Sequence, residues 1–477
     1  MKDRNLSLVT DFYELTMSNG FFAKNMQNTI AYFDVFFRQI PDNGGYVICA
    51  GLDQVIDYIK NLKFNSEDIS YLRSLNKFSD GFLDYLSNFK FTGDIWAIPE
   101  GTVVFPNEPL ITVKAPIIEA QILETMILMI MNHQCLIATK ASRIVSSAQG
   151  RPVMEFGARR AHSVDAAVFG ARAAIIGGCV GTSCTYTAQK FNSIASGTMA
   201  HSFIQSFDSE YEAFKSYAET YPDDCTLLID TYDTINSGIV NAIKVFNDVL
   251  VPKGFRPKAV RLDSGDLAYL SKKVRKILDE AGFEDCNICV SNSLDENLIS
   301  SLLDQGAAID SFGVGENLIT SKSNPVFGGV YKLCALEKDG NIIPKIKISE
   351  NTAKITNPRF KKIYRFYSKD THKALADVIT LHNETIPESN YTIFDPINPW
   401  RKKTLINYDV RPLQEQIFKD GNLVYNTPTL SEISKYREQE LSTLWDEIKR
   451  LNNPHKYYVD LSSDLWNLKN DMLKKIK

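Results

Sequence analysis

Histidine is scarce here: six occur in 477 residues, at 133, 162, 201, 372, 382 and 455, and no two have metal-ligand spacing. The sequence contains no H-E-x-x-H, no G-x-S-x-G, no G-x-x-x-x-G-K-[ST] and no G-x-G-x-x-G after a strand. Zinc hydrolysis, a serine-hydrolase elbow, a P-loop and a dinucleotide fingerprint therefore have no support. Charge of one sign is not in excess: 53 basic against 57 acidic residues leave −4, so no basic face calls for nucleic acid. Long apolar runs are missing too. The most hydrophobic segment, Ile117 to Ile137, is broken by Glu119, Gln121, Glu124, Asn132, His133 and Gln134. Its unbroken part, Met126 to Met131, is far shorter than the roughly 20 residues of a membrane span, so it reads as a buried helix. The start, MKDRNLSLVTDFYELTM, lacks the apolar core of a signal peptide, and a soluble cytoplasmic protein is expected. The eight cysteines are scattered and read as reduced, mostly buried thiols. Cys286 and Cys289 spell C-x-x-C inside an expected strand, with no second pair and no nearby histidine.

What is present belongs to a globular chain: 44% hydrophobic and 23% charged residues, over a length that calls for two or three domains. Residues 1–150 read as an N-terminal α+β domain. A helix covers Leu8 to Phe22, capped by Thr10 or Asp11, and an aromatic-rich strand covers Thr29 to Ile40. Short helical patterns follow, then a β-rich stretch from Phe91 to Lys114 punctuated by glycine and proline. Residues 151–334 alternate strand and helix. Strands are expected at Val153–Phe156, Cys179–Thr182, Gly197–Ala200, Thr226–Ile229, Ala259–Leu262, Asn287–Val290 and Asp310–Gly313. Amphipathic helices such as Phe203–Thr220, Ile235–Val251 and Asp266–Ala281 lie between them. About seven such units argue for an irregular, incomplete α/β barrel, and a doubly wound sheet fits the same periodicity. The stretch 335–390 is expected to return to the first domain, and 391–477 reads as a largely helical C-terminal segment.

The chain is organised around Val153 to Ser202, where three small-residue or apolar runs end in polar, glycine-rich text. The first loop offers Phe156, Arg159, Arg160 and His162, the second Thr182, Ser183 and Thr185, and the third Ser196, Thr198 and His201. Guanidiniums, hydroxyls and an imidazole at strand carboxyl ends suit a phosphate-bearing ligand. Further on, Arg261 and Asp263 point to one side of a strand end and could hold an anion beside Mg²⁺ or a ribose, while a plain ion pair is the alternative. Ser264 or Asp266 caps the next helix. Asp230 reads equally as a site carboxylate or as the start of a turn. Gly313 and Gly315, ending the last strand, let backbone N–H groups approach a phosphate or simply make a turn. His201 alone reads more readily as a structural histidine than as a catalytic one, and Phe156, Tyr13 and Tyr186 as core aromatics.

Six ordered stretches resemble the nicotinate phosphoribosyltransferases, which are type II phosphoribosyltransferases: TDFYELTM (10–17), EFGARRAH (155–162), GTSCT (181–185), GTMAHS (197–202), VRLDSGD (260–266) and FGVGENLIT (312–320). The resemblance implies a head-to-tail homodimer with shared sites. It further implies nicotinate, phosphoribosyl pyrophosphate and ATP as substrates, with Mg²⁺ and a phosphohistidine at His201. Tyr13 would stack on the pyridine from the neighbouring subunit and Phe156 from this one. Arg261 would bind the nicotinate carboxylate beside Thr198. Arg159, Gly313, Gly315, Thr320 and, from the partner chain, Arg38 would face phosphates. Asp263 and Asp230 would serve ribose and metal. The nicotinamide-specific relatives carry an aspartate where this chain has Ser183. That aspartate would repel a nicotinate carboxylate, whereas serine donates to it, so the acid is the expected substrate. A nicotinamide- or quinolinate-using relative and a non-catalytic ligand sensor are the alternatives.

Overall fold

Short apolar runs in the middle of the chain form one sheet of six parallel strands. Their spatial order is Gly181–Thr182, Val153–Glu155, Ser311–Val314, Asn287–Val290, Ala259–Leu262, Thr226–Leu228. The computed structural model describes residues 4–351 and 354–475. It divides into two units, Ile137–Pro325 and the flanking chain, Met1–Leu136 with Val326–Lys477.

In the middle unit both faces of the sheet are covered, and Leu227, Leu228, Val260, Leu262, Ile288, Val290, Phe312 and Val314 are all buried, as continuous apolar strands in a parallel sheet require. Crossover helices include Val164–Ile176, Glu210–Thr220, Ile239–Val245, Leu267–Glu280 and Glu296–Asp304. Side-chain caps fix several of their starts: Ser163 accepts from Ala166 N–H, Ser209 from Glu212 N–H and Asp295 from the N–H groups of Asn297 and Leu298. Because every strand runs the same way, all the loops that follow strands emerge on one edge of the sheet.

The barrel is not closed by strand pairing among the described residues. The expected strand Gly197–Ala200 is irregular, and that neighbourhood contributes a single bridge, Thr182 to Ala195. Its Ser-Gly-Thr text carries too few β-branched or aromatic side chains to sustain a ladder. The segment nevertheless runs from the Thr182 edge to His201, whose ring meets Thr231 just past the other edge strand. The expected helix Phe203–Thr220 is broken into His201–Gln205 and Glu210–Thr220.

The other unit is mixed and largely antiparallel. Its seven-stranded sheet runs Asn341–Pro344, Gly329–Lys338, Ile30–Phe37, Ile111–Pro116, Asp94–Ala97, Glu415–Lys419, Asn422–Leu423. Gly329–Lys338, from after the middle unit, pairs with Ile30–Phe37 from before it. A second sheet joins Tyr408–Pro412, Lys361–Ser368, Ala374–Leu381 and Val459–Leu461. At its centre Arg365, fully buried, donates to Asp377 and Glu440. Residues 391–477 are thus not largely helical. Among the described residues six strands fall within 390–461, and helices are confined to Leu430–Thr443, Asp446–Lys449 and Ser463–Lys474. The apolar helix Ile117–Ser147 is long and apolar enough to cross a membrane by composition, yet 67% of its most apolar window is buried within the protein.

Candidate active site

Arg261 is the penultimate residue of the strand Ala259–Leu262, and its guanidinium is gripped on three sides. Nε donates to Ser291 Oγ at 2.9 Å, Nη2 to Asp263 Oδ1 at 3.1 Å, and Nη1 to Thr198 Oγ1 at 3.3 Å and Met199 O at 3.4 Å. Its carbon centre lies 5.6 Å from the centroid of the Phe156 ring. Ser291 also donates to Asp263 Oδ1. The spacing of Arg261 and Asp263 does place them on one side, as their i, i+2 relation requires.

Asp230 follows the neighbouring strand and ties it to this one. Its Oδ2 accepts Asp263 N–H at 2.8 Å and Ser264 Oγ–H at 2.7 Å, leaving Asp266 to cap the next helix through Tyr269 N–H. The other oxygen, Oδ1, is buried with no hydrogen-bond partner. His201 begins a short helix on the far side: Nδ1 is 3.1 Å from Thr231 Oγ1 and Nε2 is 3.8 Å from Asp263 Oδ2.

Phe156 is seated by Gly313. A Cβ on Gly313 would lie 2.4 Å from the Phe156 ring, so only glycine leaves room for it. Gly315 lies beside the Phe156 carbonyl, and the Phe156 N–H donates to Val314 O at 2.7 Å. Ser183 is exposed, with its N–H on the Glu155 carbonyl at 2.8 Å. Arg159 is exposed on the loop that follows Phe156. Thr320 donates its hydroxyl to Glu316 O at 2.7 Å, within its own helical turn.

The structure therefore brings Phe156, Thr198, His201, Asp230, Arg261, Asp263, Gly313 and Gly315 together. Tyr13 and Arg38 belong to the other unit. Tyr13 is 46% exposed, and its phenol is pushed up by burial and by the nearby Glu124 carboxylate. Arg38 has a buried Nε without a hydrogen-bond partner, stands 5.2 Å from the Phe36 ring, and is held below its ordinary pKa by burial.

Two participants were not evident in the sequence. Ser291 bridges Arg261 and Asp263, and the signal was its place directly after an expected strand; in the structure Asn292 and Ser293, which follow it, have left-handed φ of 95° and 49°. Glu155, fully buried, is held above the usual carboxylate range by burial, while the Thr182 hydroxyl and the Gly157 N–H pull it back. Among the described residues no group of three or more His, Cys, Asp or Glu could enclose a metal. A Mg²⁺ that keeps water and substrate oxygens needs only one or two carboxylates. The unpartnered Asp230 Oδ1 and the neighbouring Asp263 fit that requirement.

A parallel sheet with a restrained arginine, two aspartates, a histidine and hydroxyls at its carboxyl edge defines the class: an α/β protein built to hold a small anion. Residues 8–132, 152–373 and 360–469 match the N-terminal domain, the family and the C-terminal domain descriptions of nicotinate phosphoribosyltransferase, respectively. The chain is 45% identical to a nicotinate phosphoribosyltransferase of Bacillus subtilis, covering 100% of this chain and 97% of the relative. It is 39% identical to one of Mycobacterium tuberculosis, over 96% of this chain and 92% of the other. The crystal structure of the human nicotinic acid phosphoribosyltransferase superposes with a TM-score of 0.87 at 27% identity, covering 97% of this chain and 99% of that one. The chain belongs to the nicotinate phosphoribosyltransferase family.

Proposed function

We propose that the protein joins nicotinate to 5-phosphoribosyl-1-pyrophosphate, giving nicotinate mononucleotide and pyrophosphate, the first step of NAD salvage from nicotinate. The observation that carries this reading is the Arg261 guanidinium, restrained by Ser291, Asp263 and Thr198 beside the Phe156 ring. A planar aromatic acid stacked on Phe156 brings its carboxylate to that guanidinium, and the hydroxyls of Thr198 and Ser183 are the neutral donors beside it. Tyr13 of the partner subunit covers the other ring face in a head-to-tail homodimer in the cytoplasm.

Arg159, the Gly313–Gly315 backbone, Thr320 and Arg38 of the partner subunit receive the phosphates of the donor. Asp263 and Asp230 are the residues that would hold Mg²⁺ beside the ribose, and the ion would supply charge neutralisation for the departing pyrophosphate. The pyridine nitrogen attacks the anomeric carbon as the bond to pyrophosphate breaks through an oxocarbenium-like state, so the protein's part is positioning and charge placement. ATP transfers its γ-phosphoryl group to His201 with release of ADP. Because Nδ1 is engaged by Thr231, Nε2 is the nitrogen that takes it. Hydrolysis of that N–P bond then draws the transfer toward product.

The test is substrate choice. Wild type makes mononucleotide from nicotinate in preference to nicotinamide, and Ser183→Asp lowers kcat/KM for nicotinate by about 10²-fold, since a carboxylate facing a carboxylate costs several kcal/mol. A wild type that prefers nicotinamide overturns the reading.

A further inference from the structure

Glu155 lies between the two loops that carry Phe156 and Ser183, and its contacts belong to both. Oε1 accepts the Gly157 N–H, and Oε2 accepts the Thr182 hydroxyl at 2.6 Å. Thr182 Oγ1 in turn accepts the Cys184 N–H at 2.9 Å, and Ser183 gives its own N–H to the Glu155 carbonyl at 2.8 Å. Ser183 is therefore tethered through its own amide and through the residues on either side of it. The Thr182 hydroxyl, expected from the sequence to face a ligand, is consumed here, and Thr182 is fully buried. A Cβ on Gly157 would lie 2.8 Å from Glu155 Oε1 and 2.6 Å from Ile319 Cβ, so the backbone closes on this carboxylate at a distance only glycine permits.

A carboxylate that merely filled a core would need donors from anywhere. This one takes them from the turn after Phe156 and from the residue before Ser183. Both oxygens accept, which is the bonding pattern of the ionised form. Discrimination by a single hydroxyl depends on its position to within about 0.5 Å, and such precision comes from the groups behind it.

Resting on the nicotinate reading above, we propose that Glu155 and Thr182 are positioning residues that set the choice of acid over amide by fixing Ser183 relative to Phe156. Neither touches the substrate. They hold the loop bearing the stacking ring and the loop bearing the selecting hydroxyl as one piece.

Thr182→Val keeps the shape and removes the hydroxyl, leaving Glu155 Oε2 without its donor and Cys184 N–H without its acceptor. The ratio of kcat/KM for nicotinate over nicotinamide is expected to fall about tenfold, with KM for phosphoribosyl pyrophosphate within about twofold of wild type. Thr182→Ser, which restores the hydroxyl, should recover the ratio. Glu155→Gln, which replaces one acceptor oxygen by a donor, should lower it in the same direction and serves if Thr182→Val does not fold. Equal losses for both pyridines and the phosphoribosyl donor, or an unchanged ratio in folded Thr182→Val or Glu155→Gln, would overturn the inference alone. A wild type that uses neither pyridine would overturn the function and the inference together.

Discussion

Arg261→Lys separates charge from geometry at the heart of the site. The arginine fork reaches Ser291, Asp263 and Thr198 at 2.9, 3.1 and 3.3 Å from three different nitrogens. A lysine ammonium keeps the charge but has one nitrogen, so it cannot stay on Asp263 and also meet a bound carboxylate in a fixed plane. Each charge-assisted hydrogen bond contributes about 1.5–3 kcal/mol. Losing the two-point contact while keeping one point charge removes about 3 kcal/mol net, or roughly 10²-fold in kcat/KM. The assay is steady-state kinetics with nicotinate and phosphoribosyl pyrophosphate varied in turn. The nicotinate kcat/KM should fall about 10²-fold while KM for the donor stays within about threefold. A loss below about fivefold, or an equal loss of affinity for both substrates, would refute the assignment of Arg261 to the carboxylate.

His201→Ala should abolish ADP formation while slow, uncoupled transfer persists, and stoichiometric ADP release in that variant would remove His201 from the coupling. Gly313→Ala places a methyl group 2.4 Å from the Phe156 ring; displacement of the ring should lower kcat/KM for nicotinate about tenfold, whereas unchanged kinetics would mean that Phe156 does not contact substrate. Glu14 is buried at the hydroxyls of Thr10 and Thr125, and burial pushes its carboxyl up to about 7. A carboxyl raised in the folded state binds its proton more tightly there than when unfolded. Its contribution is full below the unfolded value near 4.5 and is lost as pH rises through about 7. Thermal melts should therefore show Tm falling across that window by more in wild type than in Glu14→Gln, and parallel curves would contradict the assignment.

Strands in the middle unit were legible because a parallel sheet buries both faces, so runs such as Ala259–Leu262 and Asn287–Val290 read as short, mostly apolar text, with Arg261 and Asn287 as the polar exceptions. The carboxyl ends of those strands then pointed to Arg261, Asp263, Asp230 and Gly313 without any three-dimensional information. Gly197–Ala200 misled because small residues leading to an apolar pair look like a strand start, while the segment itself pairs with no strand and the nearest pairing is one bridge at Ala195. The strands of 390–423 escaped because they are short and mostly exposed, as in Lys402–Ile406, where only Leu405 is buried. Ser291 and Glu155 escaped for a different reason. Their roles depend on which side chains separate strands bring within hydrogen-bond reach, and the place of Ser291 after a strand marks a loop without naming its partners.

The most direct test of the central claim is a single assay of the full chain with nicotinate, phosphoribosyl pyrophosphate and Mg²⁺, with and without ATP, following nicotinate mononucleotide and ADP together. The account predicts mononucleotide that rises sharply with ATP, with ADP formed alongside it. No mononucleotide from nicotinate under either condition would contradict it.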